Sequence, residues 1–258
     1  MKFALNVRTG RSSISSFADR LTEEIEAAGG SVVDGPDITP DMVLAVGGDG
    51  TMLGAVHRAI AWDVPVLGFN LGTLGFLTEA EPTELSRVVT RLFAGDYEVD
   101  ERLTVSATAH GKVMQGVNDV VVEKIDSTRL VNLEVVIDGI PFATYRADGL
   151  IVATPTGSTA YSFSAGGPIV DPGVDALVLT PVAAHSLFDR PIVLPADSEV
   201  TITARRDRPV RVNVDKSVLG QIGDGDQVTV GRGSRPARFV TFDSTTFPAL
   251  VRDKFGLG

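Results

Sequence analysis

The sequence contains no cysteine, and it has only three histidines and one tryptophan among its 258 residues. The absence of cysteine excludes disulfides, thiolate metal sites and thiol nucleophiles. It also permits a reducing compartment, so the cytoplasm is the expected location. No group of histidines has metal-ligand spacing, and we therefore predict no metal site built from protein ligands alone.

Basic side chains are scarce as well, at 23 against 33 acidic ones, which gives a formal net charge of -10. This charge opposes nonspecific attraction to nucleic acid or to an anionic membrane, so we expect neither as a partner. The chain also lacks a long apolar run that would predict a membrane span or a signal peptide. With 43% hydrophobic residues, the chain can bury one large core or two smaller ones.

The first hundred residues alternate strand and helix signals, which is typical of a mostly parallel, doubly wound α/β sheet. From Tyr97 onwards, runs rich in valine and threonine favour β structure. We predict an α/β domain of residues 1–97 plus 239–258 and a larger, β-sandwich-like domain of residues 98–238. The apolar C-terminal tail is expected to pack back on the first domain, and the active site is expected at the domain junction.

The segment Gly47-Gly48-Asp49-Gly50-Thr51 follows the buried strand pattern Val43–Val46 and precedes a helical pattern. Glycines allow close backbone approach, and free N–H groups before a helix favour an anion, so this turn could hold a phosphate donor. We predict Thr51 as the helix N-cap. Asp49, in the same turn, could serve as a base, although an aspartate that only accepts N–H bonds within the turn is the alternative.

Three further segments, together with this turn, resemble the NAD kinase family over most of the chain. They are Gly68-Phe69-Asn70-Leu71-Gly72-Thr73-Leu74-Gly75-Phe76-Leu77, then Asn118-Asp119, and Asp148-Gly149 continuing to Thr154-Pro155-Thr156-Gly157-Ser158-Thr159-Ala160-Tyr161. The first motif is also similar to that of diacylglycerol and sphingosine kinases, whereas the later segments narrow the resemblance to NAD kinases.

The resemblance implies that the 2′-hydroxyl of the adenosine ribose of NAD attacks the terminal phosphate of ATP, or of polyphosphate, to give NADP. It implies Asp49 as the catalytic base and the surrounding turn as the phosphate site, with Mg²⁺ or another divalent cation arriving with the nucleotide. The implied phosphate-binding residues are Gly47, Gly48, Gly50 and Thr51. The implied NAD-binding residues are Asn70, Asn118, Asp119, Asp148, Thr159, Ala160, Tyr161 and Ser164.

Some of these residues have structural alternatives. Asn70 could simply cap its own turn, and the pair Asn118-Asp119 could belong to a β-bulge. Many family members carry Glu where this chain has Asp119, so its contact with NAD is open.

Further possible site residues are His185, Arg190 and Asp215. A lone histidine is more often structural, and Arg190 could bind phosphate or hold its own loop. Lys216 follows Asp215 where many family members have Gly, which leaves the role of Asp215 open.

Two other functions remain possible from the sequence, a lipid kinase and a noncatalytic NAD(P)-binding sensor. The resemblance also implies a homodimer or homotetramer. The sequence does not establish the preferred phosphate donor, the acceptance of NADH or any feedback regulation.

Overall fold

The computed structural model describes residues 1–8, 10, 12–35, 38–72, 75–126, 128–206, 208–242 and 246–257. Two residues of the predicted motifs, Thr73 and Leu74, lie outside this part of the chain. None of the described helices is long and apolar enough to cross a membrane.

The described chain forms strands and helices in the following order. The strands are β1 Lys2–Val7, β2 Ser31–Val32, β3 Met42–Val46, β4 Val66–Phe69, β5 Glu98–Arg102, β6 Val105–Ala109, β7 Lys112–Gly116, β8 Asp119–Lys124, β9 Val131–Ile137, β10 Ile140–Ala147, β11 Gly149–Ala153, β12 Ala176–Val182, β13 Ile192–Pro195, β14 Val200–Arg205, β15 Val210–Val214, β16 Ser217–Ile222, β17 Gln227–Arg232 and β18 Ala237–Thr241. The helices are α1 Ser12–Ala27, α2 Asp49–Trp62, α3 Leu85–Ala94, α4 Tyr161–Ser164 and α5 Phe247–Phe255, with single 3₁₀ turns at Pro82–Glu84 and Thr156–Thr159.

The chain divides into two compact units, residues 1–101 with 237–258 and residues 102–236. The predicted boundaries at residues 97 and 239 differ from these by a few positions. The first unit is built on one six-stranded sheet in the order β2-β1-β3-β4-β18-β5. Neighbouring strands from β2 to β18 run parallel, because helices or long segments connect them and bring each strand back in the same direction.

The buried core of the first unit follows from its sequence pattern. Strand β3 is buried at all five positions, as expected for a central strand of a parallel sheet covered on both faces. Helix α1 buries Ile14, Phe17, Leu21 and Ile25 at helical spacing. Strand β18 pairs with β4, which confirms that the C-terminal tail returns to the first domain.

The second unit consists of two six-stranded antiparallel sheets. Their orders are β10-β9-β14-β17-β6-β7 and β13-β12-β11-β8-β15-β16. One hydrophobic cluster contains buried residues of both sheets, such as Leu133 and Ile202 of the first and Val122 and Val152 of the second. This shared core is that of a β-sandwich, so the predicted fold class is confirmed.

The second sheet is also covered on its outer face at its centre. Val121, Ile151, Ala153 and Val178 form a smaller buried cluster there, against which Ala165 and Val170 pack. Strand β11 is consequently buried at all five positions. The segment from Thr156 to Val170 is therefore held firmly at the end of β11, where the sequence predicted part of the NAD site.

Candidate active site

Strands β3 and β4 are parallel neighbours, with Val46 in register with Phe69. Their carboxyl ends therefore bring the glycine turn after β3 beside the segment after β4. The Gly47 N–H donates to the Phe69 carbonyl over 3.0 Å. Two predicted motifs that are separate in sequence thus form one edge of the sheet in the first unit.

Helix α2 begins at Asp49, with Gly48 as its N-cap. The prediction of Thr51 as N-cap is wrong, because the Gly48 carbonyl already accepts the N–H groups of Thr51 and Met52 over 2.8 and 3.1 Å. Gly47 has φ of 156° and could not carry a side chain, since a Cβ there would lie 2.4 Å from Thr51 Oγ1. Asp49 therefore lies in the first turn of the helix, where the helix dipole favours negative charge.

The Asp49 carboxylate accepts hydrogen bonds from two backbone N–H groups of the segment after β4. These are the N–H of Phe76 at 3.2 Å and that of Leu77 at 3.3 Å. Gly75 makes the approach possible, because a Cβ at that position would lie only 2.0 Å from Asp49 Oδ1. Asp49 is thus oriented by a second loop rather than by its own turn, and a carboxylate accepts more than two such bonds.

Asn70 directly follows β4, is 8% exposed and is engaged within its own turn. Its Oδ1 accepts the Gly72 N–H over 3.1 Å, and its Nδ2 lies 3.3 Å from the Gly72 carbonyl. This is the turn contact expected from the structural alternative. Asn70 also lines a cavity of about 520 Å³ with Ser13, Ser16 and Arg20 of α1. A contact with NAD stays a prediction.

In the second unit, the pair Asn118-Asp119 stands at the start of β8, and Asp119 is in register with Ala153 of β11. The Asn118 carbonyl accepts the Thr154 N–H over 2.8 Å. A Cβ at Gly157 would lie 2.0 Å from the same carbonyl. The structure thereby brings Asn118, Asp119 and the Thr156–Thr159 turn together, as the resemblance implied.

Asp119 is 4% exposed, and burial raises the pKa of its carboxyl group to about 7, with a further contribution from the Asp215 carboxylate. Asp215 itself accepts the N–H groups of Val117, Asn118 and Asp119 over 3.1, 2.8 and 3.2 Å. Its backbone is left-handed, with φ of 52°. Asp215 therefore holds the backbone of the predicted NAD-binding pair.

Tyr161 and Asp148 line one cavity of about 170 Å³, together with Glu123, Lys124 and Gly149. Asp148 forms an ion pair with Lys124. Burial raises the pKa of the Tyr161 hydroxyl, and the carboxylates of Glu123, Asp148 and Asp119 raise it further. Tyr161 as a whole is nevertheless 41% exposed, which is compatible with stacking of its ring on a base.

The sequence analysis did not identify Glu123 and Lys124 as site residues. Their only sequence signal is that charged residues end the apolar run Val120-Val121-Val122, and such residues are common at strand ends.

The other predicted residues of this segment have local contacts. Thr159 Oγ1 donates to the Thr156 carbonyl over 3.3 Å, which is ordinary capping. Ala160 is the residue before helix α4, and its carbonyl accepts the Ser164 N–H over 3.3 Å. Ser164 is exposed at the end of α4. Thr159 and Ala160 directly precede Tyr161, which lines the cavity beside Asp148.

His185 and Arg190 lie in the loop after β12, and both are exposed. The His185 N–H donates to the Arg146 carbonyl over 2.7 Å, and Arg190 Nε lies 3.5 Å from the Asp189 carboxylate. The His185 N–H thus links the loop to β10, whereas Arg190 pairs with its chain neighbour, so both roles of Arg190 stay predictions.

Comparison with known proteins gives one family for both units. Residues 10–97 match the family model of the ATP-NAD kinase N-terminal domain, and residues 117–242 match that of the ATP-NAD kinase C-terminal domain. An NAD kinase of Moorella thermoacetica is 42% identical over 226 residues, which covers 86% of this chain and 73% of that protein. An NAD kinase of Symbiobacterium thermophilum is 37% identical and covers 98% of both chains.

Two solved structures are similar over nearly the whole chain. The crystal structure of yeast NADH kinase complexed with NADH has a TM-score of 0.86 and 25% sequence identity, and the match covers 100% of this chain and 88% of that one. The structure of an NAD kinase from Archaeoglobus fulgidus in complex with ATP has a TM-score of 0.79 at 25% identity, with 99% and 98% covered.

Proposed function

The chain belongs to the NAD kinase family, whose members phosphorylate NAD, and on this premise we propose that Asp49 is the base of the reaction. The ribose 2′-hydroxyl of NAD gives its proton to the Asp49 carboxylate, and its oxygen forms a bond to the terminal phosphorus of ATP. The bond from that phosphorus to the bridging oxygen breaks, and the products are NADP and ADP. The lipid kinase and the noncatalytic sensor are not favoured by the comparisons.

The observation that supports this assignment is the orientation of the Asp49 carboxylate at the carboxyl edge of the parallel sheet. It lies at the N-terminal end of α2, where phosphates also bind favourably. Two N–H bonds from Phe76 and Leu77 fix it, so little freedom is lost when it meets a hydroxyl group. Donor phosphate oxygens are proposed to bind at the flanking Gly47, Gly48, Gly50 and Thr51. Thr51 would contribute its hydroxyl, because its N–H already donates to the Gly48 carbonyl.

The direct test measures NADP formation by the purified protein from NAD, ATP and Mg²⁺ in a coupled assay. We expect Asp49→Asn to lower kcat by about 10²–10⁴-fold, because the amide cannot accept the proton. Asp19→Asn, on the exposed face of α1, is the matched control and should keep full activity. Undiminished NADP formation by Asp49→Asn would show that Asp49 is not the base.

NAD binding is assigned to the second unit. The residues proposed for it are Asn118, Asp119, Asp148, Thr159, Ala160, Tyr161 and Ser164, with Asn70 of the first unit as a further contact. The support is that the segments of the second unit adjoin one another and that Tyr161 exposes its ring beside the Asp148 cavity. Titration calorimetry with NAD should show weaker binding by Tyr161→Ala than by Tyr161→Phe, because only the first removes the ring.

Mg²⁺ is proposed to arrive with the nucleotide and to neutralise charge on the donor phosphates. Among the residues that the structure describes, no three His, Asp or Glu side chains come together as a metal cluster. A cation that the nucleotide carries is held by the donor phosphate oxygens and needs no such cluster. Replacing ATP-Mg²⁺ by ATP with excess chelator should abolish turnover.

ATP is proposed as the donor, since the matched family models are those of ATP-NAD kinases and one similar structure contains ATP. Assays with polyphosphate as donor and with NADH as acceptor measure both preferences directly. A cytoplasmic location is proposed as well, supported by the absence of cysteine, and cell fractionation would test it.

A homodimer or homotetramer is proposed on the basis of an apolar patch on the second unit. Ile140 and Phe142 of the edge strand β10 are 69% and 38% exposed, and Leu187 and Phe188 of the loop after β12 are also exposed. The rings of Phe142 and Phe188 meet edge to face, 5.7 Å apart. Exposed apolar groups clustered on a sheet edge favour association. Light scattering of the purified protein gives the stoichiometry.

A further inference from the structure

The Thr78 hydroxyl is one of two buried side-chain polar atoms without a hydrogen-bond partner in the described part of the chain; the other is the Tyr145 hydroxyl. Thr78 is 9% exposed. Burying a hydroxyl group without a partner costs desolvation free energy, whereas burying a methyl group of the same shape carries no such penalty. An unpaired buried hydroxyl beside a catalytic group therefore calls for a function.

Two glycines fix the direction of the Thr78 side chain. A Cβ at Gly68 of β4 would lie 3.0 Å from Thr78 Cγ2 and 3.2 Å from its Cα, so the methyl group packs against the sheet. A Cβ at Gly75 would lie 2.8 Å from Thr78 Oγ1, so the hydroxyl faces Gly75. The hydroxyl group consequently points away from β4.

The same space beside Gly75 contains the Asp49 carboxylate. The Gly75 Cβ position that lies 2.8 Å from Thr78 Oγ1 lies 2.0 Å from Asp49 Oδ1. The hydroxyl oxygen and the carboxylate oxygen therefore lie less than about 5 Å apart, on either side of the space that a Gly75 side chain would fill. Among the described residues, the carboxylate accepts the Phe76 and Leu77 N–H groups, at 3.2 and 3.3 Å, and a carboxylate has capacity for a further donor.

We propose that Thr78 is a positioning residue for Asp49, and that its hydroxyl donates a hydrogen bond to the Asp49 carboxylate when the substrates are bound. The inference rests on the proposed function, because Thr78 acts through the base. When the Asp49 carboxylate turns towards the 2′-hydroxyl of NAD, it gives up one of its two backbone N–H bonds. The Thr78 hydroxyl is then the third donor, and it keeps the carboxylate in its orientation. In the free protein the Thr78 hydroxyl stays buried without a partner, which lowers the free energy of unfolding.

The test compares Thr78→Val and Thr78→Ser in the full chain by steady-state kinetics with NAD, ATP and Mg²⁺ and by thermal unfolding. Thr78→Val keeps the shape but removes the hydroxyl, so we expect kcat to fall about tenfold or more. The KM values for NAD and ATP should change by less than about threefold, because substrate binding does not use the bond. Thr78→Ser should restore kcat to within about threefold of the wild type.

Stability distinguishes positioning from a structural role. Thr78→Val removes an unpaired buried hydroxyl, so its Tm should equal or exceed that of the wild type while kcat falls. Thr90→Val is the matched control, since the Thr90 hydroxyl donates to the Ser86 carbonyl on α3 and this variant should keep the wild-type kcat. A fall of kcat together with Tm, without recovery in Thr78→Ser, would overturn the inference.

A double-mutant cycle with Asp49→Asn separates the inference from the proposed function. If Thr78 acts through Asp49, Thr78→Val should cause little further loss in the Asp49→Asn background. An equal fold loss in both backgrounds, or wild-type kcat in Thr78→Val, would overturn the positioning role and leave the base assignment intact. Full activity of Asp49→Asn would overturn the base assignment, and the inference would fall with it.

Discussion

Asp119 shows how burial changes the chemistry of a single carboxyl group. In the folded chain its pKa is raised from 3.8 to about 7 by burial and by Asp215. Near neutral pH the group therefore exchanges between a protonated form that can donate a hydrogen bond and an ionised form that only accepts. Ribose hydroxyls are donors that favour the ionised form, so NAD binding at this residue should be coupled to proton release.

We expect NAD binding to tighten as the pH rises from about 5.5 to 7.5, because binding to the ionised form requires the loss of a proton below the raised pKa. The dependence should be much weaker in Asp119→Asn, which has no proton to lose. Calorimetry at several pH values, in buffers of different ionisation enthalpy, measures both the affinity and the protons released. Equal pH dependence in the two proteins would contradict a contact of NAD with Asp119.

The same pKa predicts a loss of stability with rising pH. Between pH 3.8 and about 7 the folded chain holds a proton on Asp119 that the unfolded chain has released. The free energy of unfolding therefore decreases through this window, on the order of 4 kcal/mol in total. Urea unfolding at pH 5 and pH 8 should show a larger decrease for the wild type than for Asp119→Asn.

Single residues also show what the sequence could and could not predict. The glycine turn was identified by its place between a buried strand pattern and a helical one, and the pair Asn118-Asp119 and Tyr161 by the resemblance to the NAD kinase family. Thr78 was not, since a threonine after a loop has no distinguishing pattern and only the packing against Gly68 and Gly75 reveals its unpaired hydroxyl. Whether Asn70 caps its turn or faces a ligand was equally undecidable, because both require the same residue in the same place.

Among the elements, the junction between β7 and β8 depends on a turn almost one hundred residues later. The Asp215 carboxylate accepts three successive N–H groups there, and the Asp215 N–H donates to the Asp119 carbonyl over 2.8 Å. Runs rich in valine favoured β structure in this region, but the sequence could not place the turn after β15 against β8, because pairing of distant strands has no local signal. The start of α2 was also misplaced, since Gly48 has no side chain to mark it as a cap.

We expect Asp215→Ala to lower the free energy of unfolding by about 2–4 kcal/mol, because it leaves three N–H groups without their acceptor. Asp138→Ala is the matched control, since that residue also has a positive φ, at 50°, but its carboxylate accepts, from the residues that the structure describes, the single N–H of Glu199 in an exposed turn. Urea unfolding of both variants measures the difference. Equal losses would mean that the left-handed backbone, rather than the carboxylate, accounts for the effect.

At the scale of the whole molecule, the first unit is assembled from both ends of the chain. Strand β18 stands between β4 and β5 in the sheet, whereas the second unit is formed by the continuous segment of residues 102–236. Alternating strand and helix signals predicted the parallel sheet, and the apolar tail predicted its return. The position of β18 between β4 and β5 could not be predicted from the sequence, because any open edge of a sheet can accept a strand.

A chain truncated after residue 236 should lose the folded first unit and keep the folded second unit. Removal of β18 leaves β4 without a neighbour on one side and separates β5 from the sheet. A chain ended after residue 246 is the control, because it loses only α5, which buries none of its residues fully. Limited proteolysis should leave a protected fragment near residues 102–236 in the shorter chain only. Full protection of residues 1–101 in that chain would contradict the prediction.

The late position of β18 also has a consequence during synthesis on the ribosome. Residues 1–101 emerge first, but the strand that completes their sheet follows only after the whole second unit has been translated. At typical bacterial or eukaryotic rates this delay is on the order of ten seconds. During this delay the edge of β4 lacks its partner strand, so we expect the first unit to need chaperone protection more than the second, which folds from one uninterrupted segment.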